Sequence, residues 1–227
     1  MTAILSNLQA VHTAIDQAAL MAGRDTTEIS LLAVSKKVPA GVIREAYNAG
    51  QKAFGENFVQ EAVNKIHELH DLPLEWHFIG PIQSNKTRPI AENFSWVHSV
   101  DRLKIAQRLA EQRPENLPPL NICLQINVSD ESTKGGVAPE EAMALAKTIA
   151  LLPRLQLRGL MAIPSPADEL AVQRMPFAQM RELMTSLNTA GLNLDTLSMG
   201  MSHDMTAAIL EGATIVRVGT AIFGART

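Results

Sequence analysis

With a single cysteine, Cys123, the chain has no partner for an internal disulfide and cannot assemble a cysteine-based zinc site. Cys123 lies in the apolar run Asn121-Ile122-Cys123-Leu124-Gln125-Ile126, where it reads as a packed thiol. No apolar run is long enough to cross a bilayer, and the N-terminus lacks the charged start and apolar stretch of a signal peptide. A cationic excess is missing too. Lys and Arg number 20 against 23 Asp and Glu, a formal charge of −3, so there is no basic footprint for nucleic acid and no charged tail. His12, His67, His70, His98 and His203 show no metal-ligand spacing with nearby carboxylates. Gly-x-Ser-x-Gly, Walker and Rossmann signatures are absent. What remains is a soluble, cytoplasmic protein without membrane or nucleic-acid partners.

The 227 residues are 46% apolar and 19% charged, enough for a sizeable core in one globular domain spanning 1–227. Ile4, Leu5, Leu8, Val11 and Ile15 recur at helical spacing, which predicts an amphipathic first helix. Short apolar runs then alternate with amphipathic stretches. Strands are expected at Ser30–Ser35, Ala53–Gly55, Glu75–Ile79, Trp96–Val100, Asn121–Asn127, Leu155–Met161, Asp195–Ser198 and Thr214–Val218. Helices are expected at Pro39–Ala49, Phe58–His70, Arg102–Arg113, Pro139–Leu151, Met175–Ala190 and Met205–Glu211. Such alternation implies βα units and a parallel sheet. Closing eight units gives a (β/α)8 TIM barrel with an extra N-terminal helix; the competing arrangement is an open doubly wound sheet.

Barrels of this type carry their chemistry at the C-terminal strand ends. Those ends read Ser35-Lys36-Lys37, Gly55-Glu56-Asn57, His77-Phe78-Ile79-Gly80, Asn127, Met161-Ala162-Ile163-Pro164, Ser198-Met199-Gly200-Met201-Ser202 and Arg217-Val218-Gly219-Thr220. A lysine that closes an apolar strand and points into the mouth is desolvated, which frees its amine to form a Schiff base with an aldehyde. Taken alone, such a lysine is more often a solvated charge. Lys36 and Lys37 face opposite sides, and alternation does not say which one enters. The Ser198–Ser202 segment and Gly219-Thr220 follow strands seven and eight, the usual phosphate position in barrels. Arg217 sits inside the apolar strand Ile215-Val216-Arg217-Val218 and needs a partner. A pyridine nitrogen, an ion pair and an outward orientation are the alternatives. His77 reads as a satisfied core histidine.

Taken in order, several segments resemble one family over essentially the whole chain. They are Leu31-Leu32-Ala33-Val34-Ser35-Lys36, Phe54-Gly55-Glu56-Asn57, His77-Phe78-Ile79-Gly80 with Gln83-Ser84-Asn85-Lys86, and Gln125-Ile126-Asn127. Gly159-Leu160-Met161-Ala162-Ile163-Pro164, Ser198-Met199-Gly200-Met201-Ser202 and Arg217–Gly224 complete the set. The chain resembles the pyridoxal phosphate homeostasis proteins of the YggS/PROSC type. That resemblance implies a fold type III barrel for pyridoxal 5′-phosphate (PLP), related to the barrel half of alanine racemase. It implies that Lys36 holds the PLP aldehyde, that Asn57 lies near the ring substituents and that Ile79 and Met161 border the ring. Ser202, Gly219 and Thr220 would hold the phosphate, and Arg217 would face the pyridine nitrogen. Phe58 stands where tyrosine is common, and His203 and Thr206 replace acidic residues, leaving the following helix start less negative.

A permanent cation at Arg217 disfavours the protonated ring that strengthens PLP as an electron sink. Alanine racemases take a second acid/base from a tyrosine of a further β domain. Here the single tyrosine, Tyr47, falls in the helix after strand one, and the sequence ends seven residues after Thr220. The expectation is therefore a monomeric PLP carrier and regulator, with apo PLP-dependent enzymes as candidate recipients. A small amino-acid racemase is the alternative. The Lys86–Arg88 helix and the loop Ser129–Gly136 are candidate docking surfaces.

Overall fold

A computed structural model describes residues 2–129 and 135–225, so most of the 129–136 loop falls outside the described residues. The strands are β1 Ser30–Val34, β2 Ala53–Glu56, β3 Glu75–Phe78, β4 Trp96–Val100, β5 Leu120–Gln125, β6 Leu155–Met161, β7 Thr196–Ser198 and β8 Ile215–Val218. The helices are α1 Ala3–Met21, α2 Ala40–Asn48, α3 Val59–Glu68, α4 Thr87–Asn93, α5 Leu103–Gln112, α6 Pro139–Ile149, α7 Leu170–Thr189, α8 Met205–Leu210 and α9 Thr220–Phe223. All strands run parallel in the order β1 to β8, and β1 pairs with β8 through Ser30↔Ile215 to Ala33↔Val218. The sheet is a closed barrel, not an open doubly wound sheet.

Two packed regions follow from strand alternation. The larger core lies between strands and helices, where Leu31, Ala33, Phe54, Phe78 and Val97 meet Ile43, Ile90, Ile105, Ala146, Phe177 and Ile209. Two further clusters, Leu32, Val34, Ile79 and Ile215, and Trp96, Cys123 and Met161, draw only on strands and strand ends, which places them in the barrel lumen. Period-two alternation thus puts Leu32 and Val34 inside and Leu31 and Ala33 outside. Gly159 lets β6 approach β7, because a Cβ there would lie 1.8 Å from the Thr196 carbonyl oxygen.

Helix α1 is capped by Thr2, whose side chain accepts from the Leu5 N–H. It buries Ile4, Leu8, Val11, Ile15, Ala18 and Ala19, and Asn7 Nδ2 donates to the Ile222 carbonyl of α9 at 2.9 Å. Most boundaries shift by one or two residues from the sequence expectation, and three of the differences have a visible cause or consequence. Helix α7 begins at Leu170, five residues before Met175, and carries Pro176 in its interior. The missing N–H frees the Val172 carbonyl, but Val172 is exposed, where water can accept the loss. Strand β5 stops at Gln125, and Ile126 then bridges to Val137 on the far side of the loop. Strand β7 is only three residues long and starts after Asp195, whose carboxylate is taken by Arg158 at 2.7 Å.

Candidate functional site

Lumen parity resolves the lysine ambiguity. Lys36 shares the inward register of Leu32 and Val34 and lines a cavity beside Val34. Lys37 turns the other way. Its φ of 60° lies in the left-handed region, and its N–H donates to Glu61 Oε1 at 2.5 Å. On the helix side of the strand end, Lys65 Nζ donates to the Ser35 carbonyl at 2.8 Å, to Glu56 Oε1 at 2.9 Å and to Glu61 Oε1 at 2.5 Å. Ser35 Oγ also donates to Glu56 Oε1, at 2.7 Å. The residues flanking Lys36 are therefore both tied outside the barrel, which commits Lys36 to the mouth. Glu56 is fully buried; burial pushes its carboxyl above the ordinary range, against the pull of Lys65 and Ser35.

The cavity measures about 310 Å³ and is lined by Val34, Lys36, Met201, Ser202, His203, Arg217, Gly219 and Thr220. Five predicted site residues thus meet at one opening: Lys36, Ser202, Arg217, Gly219 and Thr220. Gly219 caps the short α9, whose first N–H groups, starting at Thr220, have no partner within the helix. Arg217 is 4% exposed, and its Nη1 donates to the Ser198 carbonyl at 2.5 Å and to Ser198 Oγ at 2.8 Å. Its Nη2 donates to the Ala162 carbonyl at 2.9 Å. Three of its N–H groups are used this way, leaving Nε–H and a second Nη2–H without a partner among the described residues. No carboxylate pairs with it there, so the ion-pair alternative fails, as does the outward orientation. Burial pushes Arg217 down to about 10, which keeps it cationic at neutral pH.

Asn57, Ile79 and Met161 do not line this cavity. Ile79 packs in the lumen with Leu32 and Val34, and Met161 packs with Trp96 and Cys123. Asn57 borders a neighbouring cavity with Phe58, Phe78 and Gln83, and its Oδ1 is buried without a hydrogen-bond partner. Gly200 serves packing: its φ is 92°, and a Cβ would sit 2.5 Å from Ala208 Cβ. The first turn of α8 carries no acidic side chain, in keeping with that expectation, and the nearest carboxylate stands just before it. Asp204 is the N-cap, and its Oδ1 accepts the Met201 N–H at 2.6 Å.

Against known proteins, residues 3–227 match the family model of the alanine racemase N-terminal domain. The pyridoxal phosphate homeostasis protein of Pseudomonas aeruginosa is 63% identical over 226 residues, covering 100% of this chain and 97% of that protein. Its counterpart in Escherichia coli is 55% identical over 229 residues, covering 100% and 98%. The chain belongs to this family. PipY of Synechococcus elongatus, solved with PLP bound, is 40% identical with a TM-score of 0.87, and the match covers 97% of this chain and 100% of that one.

Set on the family's barrel, one group of residues stands out that motif reading left aside. His77 is indeed a buried, fully hydrogen-bonded histidine, but it bonds to His98 at 2.8 Å, and His98 in turn bonds to Ser198 at 2.7 Å. The inward spacing Trp96-x-His98 was the available signal. Cys123 has no exposed surface, and burial raises its thiol to about 12. It is expected to resist iodoacetamide at neutral pH in the folded protein and to react on unfolding, which mass spectrometry of the labelled protein reads directly.

Proposed function

We propose that this protein binds PLP at the barrel mouth, anchored on Lys36, and acts as a carrier and regulator in PLP homeostasis. The observation that carries this is the meeting of one inward lysine, a buried arginine and a cluster of small donors around a single cavity. These groups fit the cofactor's chemistry: an amine for the aldehyde, Ser202, Gly219 and Thr220 for the phosphate, and the remaining Arg217 N–H groups for the pyridine nitrogen. The unpartnered Asn57 Oδ1 is a further buried acceptor beside the mouth, suited to a ring hydroxyl. Ile79 and Met161, apolar residues at the C-terminal strand ends, pack in the lumen and would support the ring. Homologues that carry the PLP homeostasis name, and the PLP-bound PipY barrel, support the same assignment.

When bound, PLP supplies an electron sink for amino-acid chemistry. What these residues do is hold it. Arg217 keeps its proton at neutral pH and offers donors, which disfavours protonation of the ring. As proposed, the protein works as a cytoplasmic monomer and hands the cofactor to apo-enzymes. No helix among the described residues is long and apolar enough to cross a membrane.

Borohydride reduction of the PLP-loaded protein, followed by peptide mapping, tests the anchor. The pyridoxyl group is expected on Lys36 and absent in Lys36→Ala. Finding it on Lys37, or nowhere, overturns the assignment. Exchange of an amino acid's α-hydrogen with solvent that depends on Lys36 would replace the carrier role with a racemase.

A further inference from the structure

We propose that Glu75, His77, His98 and Ser198 form a one-way hydrogen-bond relay through the barrel lumen that positions Arg217 and sets its donor strength toward the cofactor. The chain of contacts is continuous. Glu75 Oε1 lies 2.6 Å from His77 Nε2, and His77 Nδ1 lies 2.8 Å from His98 Nε2. His98 Nδ1 lies 2.7 Å from Ser198 Oγ, which lies 2.8 Å from Arg217 Nη1. These residues come from β3, β4, β7 and β8, so the relay crosses the lumen from the N-terminal opening to the mouth. Glu75 is exposed at the far end, while His77, His98, Ser198 and Arg217 are all buried. Trp96 stacks on His77 with ring centroids 5.4 Å apart and planes within 3°, closing one side.

The direction of every bond follows from the two ends. A guanidinium only donates, so Ser198 Oγ accepts from Arg217 and keeps its own proton to give. A carboxylate only accepts, so His77 carries its proton on Nε2 and donates it to Glu75. Burial holds both imidazoles below their ordinary range, so each is neutral, with one donor and one acceptor. His77 Nδ1 must then accept from His98 Nε2–H, and His98 Nδ1 must accept from Ser198. The reverse order requires a protonated Glu75, yet Glu75 is solvent-exposed, and its bond from His77 draws its carboxyl below the ordinary range. One arrangement satisfies all the atoms. It links a buried cation to a distant solvated carboxylate, and it fixes Ser198 as an acceptor, so that with the Ser198 and Ala162 carbonyls it holds the guanidinium and leaves Nε–H and one Nη2–H for the cofactor. His77 and His98 are positioning residues, acting on the cofactor only through Arg217.

This step rests on the proposed placement of Arg217 at the cofactor ring, so the test has two arms. Long-range nitrogen–proton NMR of the histidine side chains, on the full chain without cofactor at pH 7, is expected to show His77 and His98 neutral and protonated on Nε2. An Nδ1–H tautomer or an imidazolium at either position overturns the relay. In the second arm, PLP-loaded His98→Phe, His98→Gln and Glu75→Gln are compared by absorption. His98→Phe is expected to shift the band of bound PLP, and His98→Gln, which retains an acceptor and a donor, to restore it towards wild type. Glu75→Gln, altered at an exposed position, is expected to shift the band in the same direction and decides the matter if His98→Phe does not fold. An unmoved band in Glu75→Gln and His98→Phe overturns the tuning role. Failure of wild type to label Lys36 while both tautomers hold would instead reject the placement of the cofactor and leave the relay standing.

Discussion

Lys65→Met is expected to cost about 3–5 kcal/mol of stability, because it removes one partner from a buried ion pair and strands the other. Glu56 is fully buried, and its Oε2 has no hydrogen-bond partner, so Oε1 carries the whole interaction with Lys65 and Ser35. Without Lys65 only the Ser35 hydroxyl remains. The Glu56 carboxyl is already raised by burial, and losing its nearest cation raises it further. A carboxyl with a raised folded-state pKa binds its proton more tightly when folded, so its contribution to stability is lost as pH rises. The deficit of Lys65→Met should therefore be larger at pH 8 than at pH 5. The double variant Glu56→Gln/Lys65→Met removes the uncompensated charge and should recover most of the loss. Urea unfolding at the two pH values measures all three points, and a deficit independent of pH would contradict the assignment. The same substitution frees the Ser35 carbonyl and Glu61, the two contacts that hold the flanks of Lys36. Pyridoxyl labelling of Lys36 should accordingly slow even in the fraction that remains folded.

This cluster shows what sequence could and could not reveal. The alternation of strands and helices was legible, because period-two and period-3.6 patterns are local and strong, and even the three-residue β7 was found from Leu197 and its neighbours. Closure through β1–β8 leaves no local mark, so it was legible only through the count of eight βα units and the resemblance, which both pointed to the barrel. Motif order brought Lys36, Ser202, Arg217, Gly219 and Thr220 to one rim, and the cavity unites those five. Lys65 carried no signal. It sits among polar residues of an amphipathic helix, and only the tertiary placement of α3 against the end of β1 buries it. Asn57 stands slightly apart, because the chain beyond β2 passes close under Gly80, where a Cβ would meet the Asn57 carbonyl at 2.2 Å. Helix α7 was shortened in the reading by Pro176, whose lost bond is tolerable only because that turn faces solvent.

Acid should destabilise the protein well above the usual carboxylate range, and the two lumen histidines are the cause. Both are held below 6.5, His98 well below, chiefly by desolvation; Glu75 opposes the shift at His77, while His77 and Arg217 reinforce it at His98. For a base with a depressed folded-state pKa, the unfolded chain binds more protons below its own pKa, so stability is full above about 6.5 and falls as pH drops beneath it. Each neutral buried histidine contributes a slope of at most about 1.4 kcal/mol per pH unit, or at most about 2.7 for the pair, approached below the unfolded pKa and lost once the folded-state values are reached. Glu56 acts with the opposite sign in the same window, because its raised carboxyl takes up a proton more readily when folded. Glu75 is lowered, so its loss comes at more acid pH. Comparing unfolding free energies of wild type and His98→Phe between pH 6.5 and 5 cancels the Glu56 term, which lies across the barrel wall. The variant's slope should be shallower, the difference growing towards a limit of about 1.4 kcal/mol per pH unit as pH falls, whatever its absolute stability. Equal slopes would mean that His98 is protonated in the folded protein, and a charged His98 cannot accept from Ser198. The stability curve and the tautomer spectrum thus test one state of one ring, the first through protons taken up on unfolding and the second through the nitrogen that carries them.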